Sequence, residues 1–178
     1  VLESRDLLSW KLAGYIPMPE NKEIFLCEGN MAIDENGRDI KIVMRTGDYE
    51  NPGRTELNPP RAYSSISKDG GKHWSIAEEE PALYNTYSKG FFGKDSKGQY
   101  VYVYNDGPLG RRTALRYVVK SPHGKWSAPK LFYWDNNRNS YATLIEESPG
   151  IFICVWDSSD DPKQARTAIR FGRLNLNK

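Results

Sequence analysis

The sequence has little cysteine or histidine, no long apolar run and no excess of one charge. It contains two Cys and two His among 178 residues, and 25 basic residues stand against 23 acidic ones. Such balanced charge, with scattered basic side chains, is not that of a nucleic-acid-binding surface. No segment approaches the roughly 18 apolar residues that a membrane-spanning helix needs. We therefore expect no nucleic-acid partner and no membrane span.

The few cysteines and histidines also argue against a metal site. Cys27 and Cys154 each lie inside an apolar, strand-like run, so we interpret them as small buried hydrophobic residues, with a disulfide as the alternative. His73 and His123 lie in predicted turns, far in sequence from any His or Cys partner. No metal or other cofactor is expected.

Aromatic residues are abundant, at 12% of the chain with 11 Tyr and 5 Trp, which suits β-strands or the stacking of sugars. Segments rich in β-branched or aromatic residues alternate with clusters of Gly, Pro, Asn and Asp, and no helical pattern competes with them. Glycine-containing turns join them as hairpins. The sequence predicts an all-β fold with strands at 39–45, 99–105, 114–120, 150–156 and 167–172, and hairpin turns at 34–37, 94–98 and 148–150.

One turn recurs along the chain. Ser67-Lys68-Asp69-Gly70-Gly71-Lys72-His73-Trp74 returns as a shortened copy without its Asp at Ser121–Trp126, and as a looser copy at Ser4–Trp10. The tryptophans are separated by 64 and 52 residues, which suits the blades of a β-propeller. The Ser and Asp side chains can hydrogen-bond to the turn backbone while Trp packs beneath the hairpin. The repeat therefore predicts architecture and not catalysis.

The Ser67–Trp74 turn resembles the Asp box (S-x-D-x-G-x-x-W) of the sialidase (neuraminidase) superfamily. The resemblance implies a six-bladed β-propeller with four-stranded antiparallel blades and BNR repeats. We place blade-like units at about 24–76, 84–133 and 140–176, after the last strand of another blade before Trp10. Because propellers close with roughly four to eight blades, we predict that 1–178 is the C-terminal part of one propeller domain. A missing N-terminal half or another chain would complete it.

Four residues in sequence order resemble the sialidase site. Glu28-Gly29-Asn30, followed by Val43-Met44-Arg45, is similar to the segment holding a glutamate and an arginine of the carboxylate-binding triad. Arg112-Thr-Ala-Leu115 is similar to the strand with the last triad arginine, and Ser140-Tyr141-Ala-Thr-Leu144 resembles the segment of the tyrosine nucleophile. In a propeller, such positions at the ends of innermost strands meet at the central channel.

The resemblance implies that Tyr141 is the nucleophile and Glu28 its base, and that Arg45 and Arg112 bind the substrate carboxylate. A sugar with a carboxylate on its reacting carbon would repel a carboxylate nucleophile, whereas a neutral tyrosine hydroxyl avoids that repulsion. Tyrosine needs a neighbouring base because its ordinary pKa is near 10. Guanidinium groups bind carboxylates in a bidentate manner. We predict a retaining exo-glycosidase that acts on terminal sialic acid or a related acidic sugar of glycans.

Alternatives remain open at the level of sequence. A non-catalytic BNR-repeat propeller that binds glycans, a glycosidase for a different sugar, or a scaffold for protein contacts would share the same turns. The first triad arginine and the aspartate acid/base of the family fall outside this chain, so we expect the chain alone to be inactive. The enzyme hypothesis predicts that all four residues converge on one pocket, with Glu28 within hydrogen-bond reach of the Tyr141 hydroxyl. The family also implies a secreted or periplasmic location.

Overall fold

The fold is built from antiparallel β-strands joined by turns. The structure, a computed structural model, describes residues 1–20, 24–47, 60–106, 112–159 and 167–178. These ranges contain thirteen strands and no α-helix, hence none that could cross a membrane. The strands are β1 (Leu2–Glu3), β2 (Lys11–Leu12), β3 (Leu26–Ile33), β4 (Ile40–Thr46), β5 (Arg61–Ser67), β6 (Glu78–Tyr84), β7 (Phe91–Lys94), β8 (Tyr100–Asp106), β9 (Ala114–Lys120), β10 (Lys130–Trp134), β11 (Asn139–Ser148), β12 (Ile151–Ser158) and β13 (Ala168–Asn175).

The strands form four sheets in which neighbours in the chain are neighbours in space. A short hairpin pairs β1 with β2, the first sheet has the order β3-β4-β5-β6, the second β7-β8-β9-β10 and the third β11-β12-β13. The predicted all-β class is confirmed, as are the three antiparallel hairpins. The division into blade-like units stays a prediction. Parts of those units, residues 48–59, 107–111 and 160–166, lie outside the described residues.

The second sheet lies between the other two. In β8, Val101 and Val103 point into a core shared with the third sheet. The alternating Tyr100, Tyr102 and Tyr104 point into a core shared with the first sheet. Successive side chains of a strand point to opposite faces, so a strand with buried residues at every position has a neighbour on each face. The three sheets are therefore stacked in chain order.

The first strands of the three sheets lie next to one another. Strand β7 contacts both β3 and β11, so the first strand of the second sheet lies between those of the first and third. Residues at the beginnings of β3, β7 and β11 are thereby brought to one region of the molecule. The candidate site is found in this region.

The recurring turn has the hydrogen bonds that its sequence predicts. Ser67 Oγ donates to Asp69 Oδ1 at 3.0 Å, Asp69 Oδ1 accepts from the His73 N–H at 2.9 Å, and Trp74 Nε1 donates to the Gly71 carbonyl at 2.8 Å. The copy at Ser4–Trp10 repeats these three kinds of bond. The two copies of the turn differ in the burial of their tryptophan, since Trp74 is 7% exposed and Trp10 is 56% exposed.

The two cysteines are free thiols, so the disulfide alternative is wrong. Cys154 is fully buried in the core between the second and third sheets, where burial raises the pKa of its thiol to about 12. Cys27 is only half-buried in β3. The interpretation as small hydrophobic residues is thus confirmed in full for Cys154 and in part for Cys27.

Candidate active site

Each of the three larger sheets carries a non-glycine residue in the left-handed backbone region near the start of its first strand. The φ angles are 42° at Glu28 in β3, 57° at Tyr87 just before β7 and 57° at Tyr141 in β11. This conformation costs a non-glycine residue on the order of 1–3 kcal/mol, and such costs concentrate at functional sites. Glu28 and Tyr141 also lie where the register between paired strands shifts. Such a shift changes the direction of a side chain from the one that regular strand alternation would give it.

The neighbouring strands place a charged side chain beside each register shift. Arg45 in β4 pairs with Cys27, and Asp157 in β12 pairs with Ser140, so the two charged residues occupy matching positions in the first and third sheets. The Ser140 hydroxyl donates to the Asp157 carboxylate, with distances of 3.0 and 3.1 Å to its two oxygens. Equivalent positions of the two sheets therefore carry opposite charges.

Arg45 connects the first sheet to the third. Its Nη1 donates to Glu28 Oε2 at 2.6 Å and to the Tyr141 hydroxyl at 3.3 Å. The Arg45 side chain is only 9% exposed, whereas that of Glu28 is 32% exposed. The guanidinium is thus held against the phenol oxygen, where a positive charge stabilises developing negative charge.

Arg112 contacts the same tyrosine from the second sheet. Its guanidinium carbon lies 5.4 Å from the centre of the Tyr141 ring, and its Nη2 donates to the Tyr87 carbonyl at 2.6 Å. Burial, followed by the nearby positive charge of Arg138, lowers the pKa of Arg112 below its ordinary value. Tyr141 therefore lies between two cationic side chains that come from different sheets.

The structure brings all four predicted residues together. Glu28 and Tyr141 both accept from Arg45 Nη1, and among the described residues no direct hydrogen bond joins the two. The reason is electrostatic, because a guanidinium forms a stronger bond with the Glu28 carboxylate than a neutral phenol does. The catalytic and carboxylate-binding roles of the four residues remain predictions.

A cavity of about 320 Å³ opens beside Tyr141 on the outer face of the third sheet. Its wall includes Thr143, Val155, Asp157 and Ile169. Val155 and Ile169 are exposed apolar side chains. One side of Tyr141 thus faces Arg45 and Arg112, while the other borders an apolar surface that no described part of the chain covers.

Sequence reasoning gave Tyr87 no role beyond lining the central channel, and it missed Arg138. A signal for Tyr87 exists, since Thr86-Tyr87-Ser88 parallels Ser140-Tyr141-Ala142 in the next sheet. Arg138 has no comparable signal, because an arginine in an Asn-rich turn is ordinarily a solvated residue. Elsewhere in the described ranges, no group of three His, Cys, Asp or Glu side chains is placed to hold a metal ion.

Neither a family model nor a curated protein matches the sequence, but solved structures match the fold. The intramolecular trans-sialidase of Ruminococcus gnavus, solved with oseltamivir carboxylate, is similar with a TM-score of 0.67 and 16% identity over 96% of this chain. The leech intramolecular trans-sialidase, solved with 2,7-anhydro-Neu5Ac, gives 0.64 and 14% over 84%. A Dyadobacter fermentans protein of unknown function gives 0.65 and 16% over 98%.

These similarities establish a sialidase-like all-β fold. The chain spans 36%, 23% and 44% of the lengths of the three solved chains, respectively. At sequence identities this low, structural similarity is evidence for the fold and not for the activity. Any functional conclusion must therefore come from the residues around Tyr141.

Proposed function

We propose that the chain is the C-terminal part of a sialidase-like β-propeller that removes a terminal sialic acid, or a related acidic sugar, from glycans. In this proposal each of the three larger sheets is one blade. The observation that carries it is the cluster around Arg45, in which Glu28, Tyr141 and Arg112 meet from three different sheets. The sialidase-like fold supports it, since the two trans-sialidases share that fold.

Arg45 and Arg112 would bind the carboxylate of the substrate. Both guanidiniums contact Tyr141, so a carboxylate held by them lies close to the phenol. Arginine suits this task because its planar fork stays charged and matches the two carboxylate oxygens. A sugar bound in this way presents the carbon that bears its carboxylate to the Tyr141 hydroxyl.

Tyr141 would then attack that carbon. Its phenol oxygen forms a bond to the sugar, Glu28 accepts the phenol proton, and the bond from the sugar to the leaving-group oxygen breaks. The leaving oxygen takes a proton from an acid supplied outside these four residues. In the second step the outside group, now deprotonated, accepts a proton from water as the water oxygen attacks the same carbon. The bond from the sugar to Tyr141 breaks, and Glu28 returns its proton to the phenol oxygen. Configuration is retained because inversion occurs twice.

The arrangement of Arg45 supports this sequence of events. In the free protein its Nη1 is shared between Glu28 and Tyr141. A bound carboxylate would compete with Glu28 for Arg45, and the released Glu28 could then accept the proton of Tyr141. Substrate binding itself would create the base contact that the free structure lacks, in line with the tightening of catalytic hydrogen bonds in substrate complexes.

A further set of blades would complete the ring. The outer face of the third sheet exposes Val155, Ile169 and Phe171, as a face that packs against another blade would when that blade is absent. An N-terminal half or another chain would cover it, and would also supply the acid for the leaving group. We accordingly expect the 178 residues alone to be inactive. A secreted or periplasmic location goes with this proposal, and cell fractionation tests it.

The direct test is turnover by the full-length protein that contains these residues. Aryl glycosides of sialic acid, of another acidic sugar and of neutral galactose form the substrate panel. We expect cleavage of an acidic glycoside, and a fall in kcat of about 10³-fold or more in Tyr141→Phe because the nucleophile is lost. Tyr15→Phe, at an exposed tyrosine, is the matched control. Unchanged turnover by Tyr141→Phe would remove the nucleophile assignment.

Binding without catalysis is a second candidate, and one observation favours it. The Glu28 carboxylate is paired with Arg45, so in the free structure this glutamate neutralises the guanidinium of a candidate anion site. A glycan-binding propeller would need only this anion site. It predicts that acidic glycans bind but are not cleaved, and that Tyr141→Phe leaves their affinity within about twofold.

A further inference from the structure

Arg138 occupies a fixed place beside Arg112. It directly precedes β11, and the next N–H, that of Asn139, donates to the Arg112 carbonyl at 2.6 Å. The Arg138 carbonyl in turn accepts from the Ser159 N–H at 3.1 Å. The Asn139 side chain is fully buried and accepts from Trp156 Nε1 at 3.0 Å. Buried hydrogen bonds on both sides thus fix the backbone of Arg138 against that of Arg112.

The side chains of Arg112 and Arg138 have no carboxylate partner within the described ranges. Arg112 Nη1 and Arg138 Nε are buried nitrogens without a hydrogen-bond acceptor. Buried donors of charged groups are normally satisfied, and an unsatisfied one calls for an explanation. Two such donors on neighbouring arginines indicate that an acceptor from outside the chain belongs there.

The nearby carboxylates have other partners. Asp135 accepts from Asn139 Nδ2 at 2.6 Å and from the Tyr133 hydroxyl at 2.8 Å. Asp157 accepts from the Ser140 hydroxyl. After burial, the positive charge of Arg138 is the next cause that lowers the pKa of Arg112, so the two cations are close enough to repel each other. An anion would relieve that repulsion.

We propose that Arg138 joins Arg112 in binding the substrate carboxylate and is a specificity-determining residue of the candidate site. This inference rests on the proposed function, because it adds an arginine to Arg45 and Arg112, which that proposal assigns to the same carboxylate. It follows from the backbone contact between the two residues and from their unsatisfied guanidinium nitrogens. Selection of an acidic over a neutral sugar then depends on an arginine that lies three residues before the proposed nucleophile.

The test compares a ligand that carries the carboxylate with one in which a neutral methyl ester replaces it. An unsaturated sialic acid analogue and its methyl ester are titrated calorimetrically into the full-length protein and into Arg138→Gln. Losing one charge-assisted contact should lower affinity for the acid about ten- to hundredfold, and leave affinity for the ester unchanged. Arg138→Lys should recover part of the loss, because Lys keeps the charge but not the fork.

Arg173→Gln is the matched control, since Arg173 forms an exposed ion pair with Glu147 on the same sheet. It should bind both ligands as the unaltered protein does. An unchanged preference for the acid in Arg138→Gln, or equal losses for acid and ester, would overturn the inference. If the unaltered protein binds acid and ester equally, the proposed function itself fails. Preference for the acid without turnover of any glycoside would leave the Arg138 inference standing and remove only catalysis.

Discussion

The second and third sheets differ in how many of their faces are covered. In β8 of the second sheet every residue from Tyr100 to Tyr104 is buried, because another sheet packs on each face. In the third sheet Phe152 lies in the shared core and is 2% exposed, whereas Phe171 lies on the opposite face and is 75% exposed. Tyr141 and its cavity border that open face. The candidate site therefore lies beside a face of the third sheet that no other described part of the chain covers.

The largest expected effect is a difference in the free energy of unfolding between substitutions of the two phenylalanines of the third sheet. In the 178-residue chain, Phe152→Ala should lower the free energy of unfolding by about 3–5 kcal/mol, because it leaves a cavity in the core. Phe171→Ala should change it by less than about 0.5 kcal/mol, as expected for an exposed position. Urea unfolding measures both values.

The same two substitutions can also be compared in the full-length protein that we propose contains these residues. If another blade covers the open face, Phe171→Ala should there cost about 2–4 kcal/mol, because its ring becomes buried. Phe152→Ala serves as the reference, since Phe152 is already buried in the core between the second and third sheets. A negligible cost of Phe171→Ala in the full-length protein would show that nothing packs on this face.

A smaller effect concerns the covered seam between the second and third sheets. Burial alone would raise the pKa of Asp135, but hydrogen bonds from Asn139 and Tyr133 outweigh burial and hold it below its ordinary value of 3.8. A carboxyl whose pKa is lowered on folding adds stability above its unfolded pKa and loses it as pH falls through the folded pKa. We expect the free energy of unfolding to fall below about pH 4, and to fall less steeply in Asp135→Asn.

Glu147 is the control for this pH effect. It pairs with Arg173 on the exposed side of the third sheet, where solvent screens the pair. The hydrogen bond with Arg173 also lowers the pKa of Glu147, but because this pair is exposed, Glu147→Gln should flatten the fall in stability at low pH less than Asp135→Asn does. An equal flattening by both variants would contradict a special role for the seam.

The sequence allowed much of this fold to be predicted where local pattern and tertiary structure agree. Strands such as β8 and β12 were predictable because β-branched and aromatic residues fill them and glycine turns bound them. Strand β6 was not, since its Glu78-Glu-Glu-Pro81 start disfavours a strand. Pairing with β5 and the ion pair of Glu80 with Lys41 stabilise it, and neither contact is local in sequence.

The candidate site was predictable only in part for a related reason. Glu28, Arg45, Arg112 and Tyr141 stand in short motifs with a recognisable order, so their convergence could be expected. The hydrogen bond that Arg45 gives to Glu28 could not, because it depends on the register shift at Glu28 in the first sheet. The role of Arg138 could not be predicted either. It lies beside Arg112 because the backbone N–H of the next residue, Asn139, donates to the Arg112 carbonyl.

The most direct test of the central claim is to trap the covalent intermediate on the full-length protein. A 2,3-difluoro sialic acid suits this purpose because fluoride leaves without an acid catalyst, and the second fluorine slows hydrolysis of the product. Mass spectrometry of the digested protein should find the sugar on the peptide that contains Tyr141, and find none after Tyr141→Phe. A sugar attached to Glu28, or no adduct although acidic glycosides are cleaved, would contradict the account.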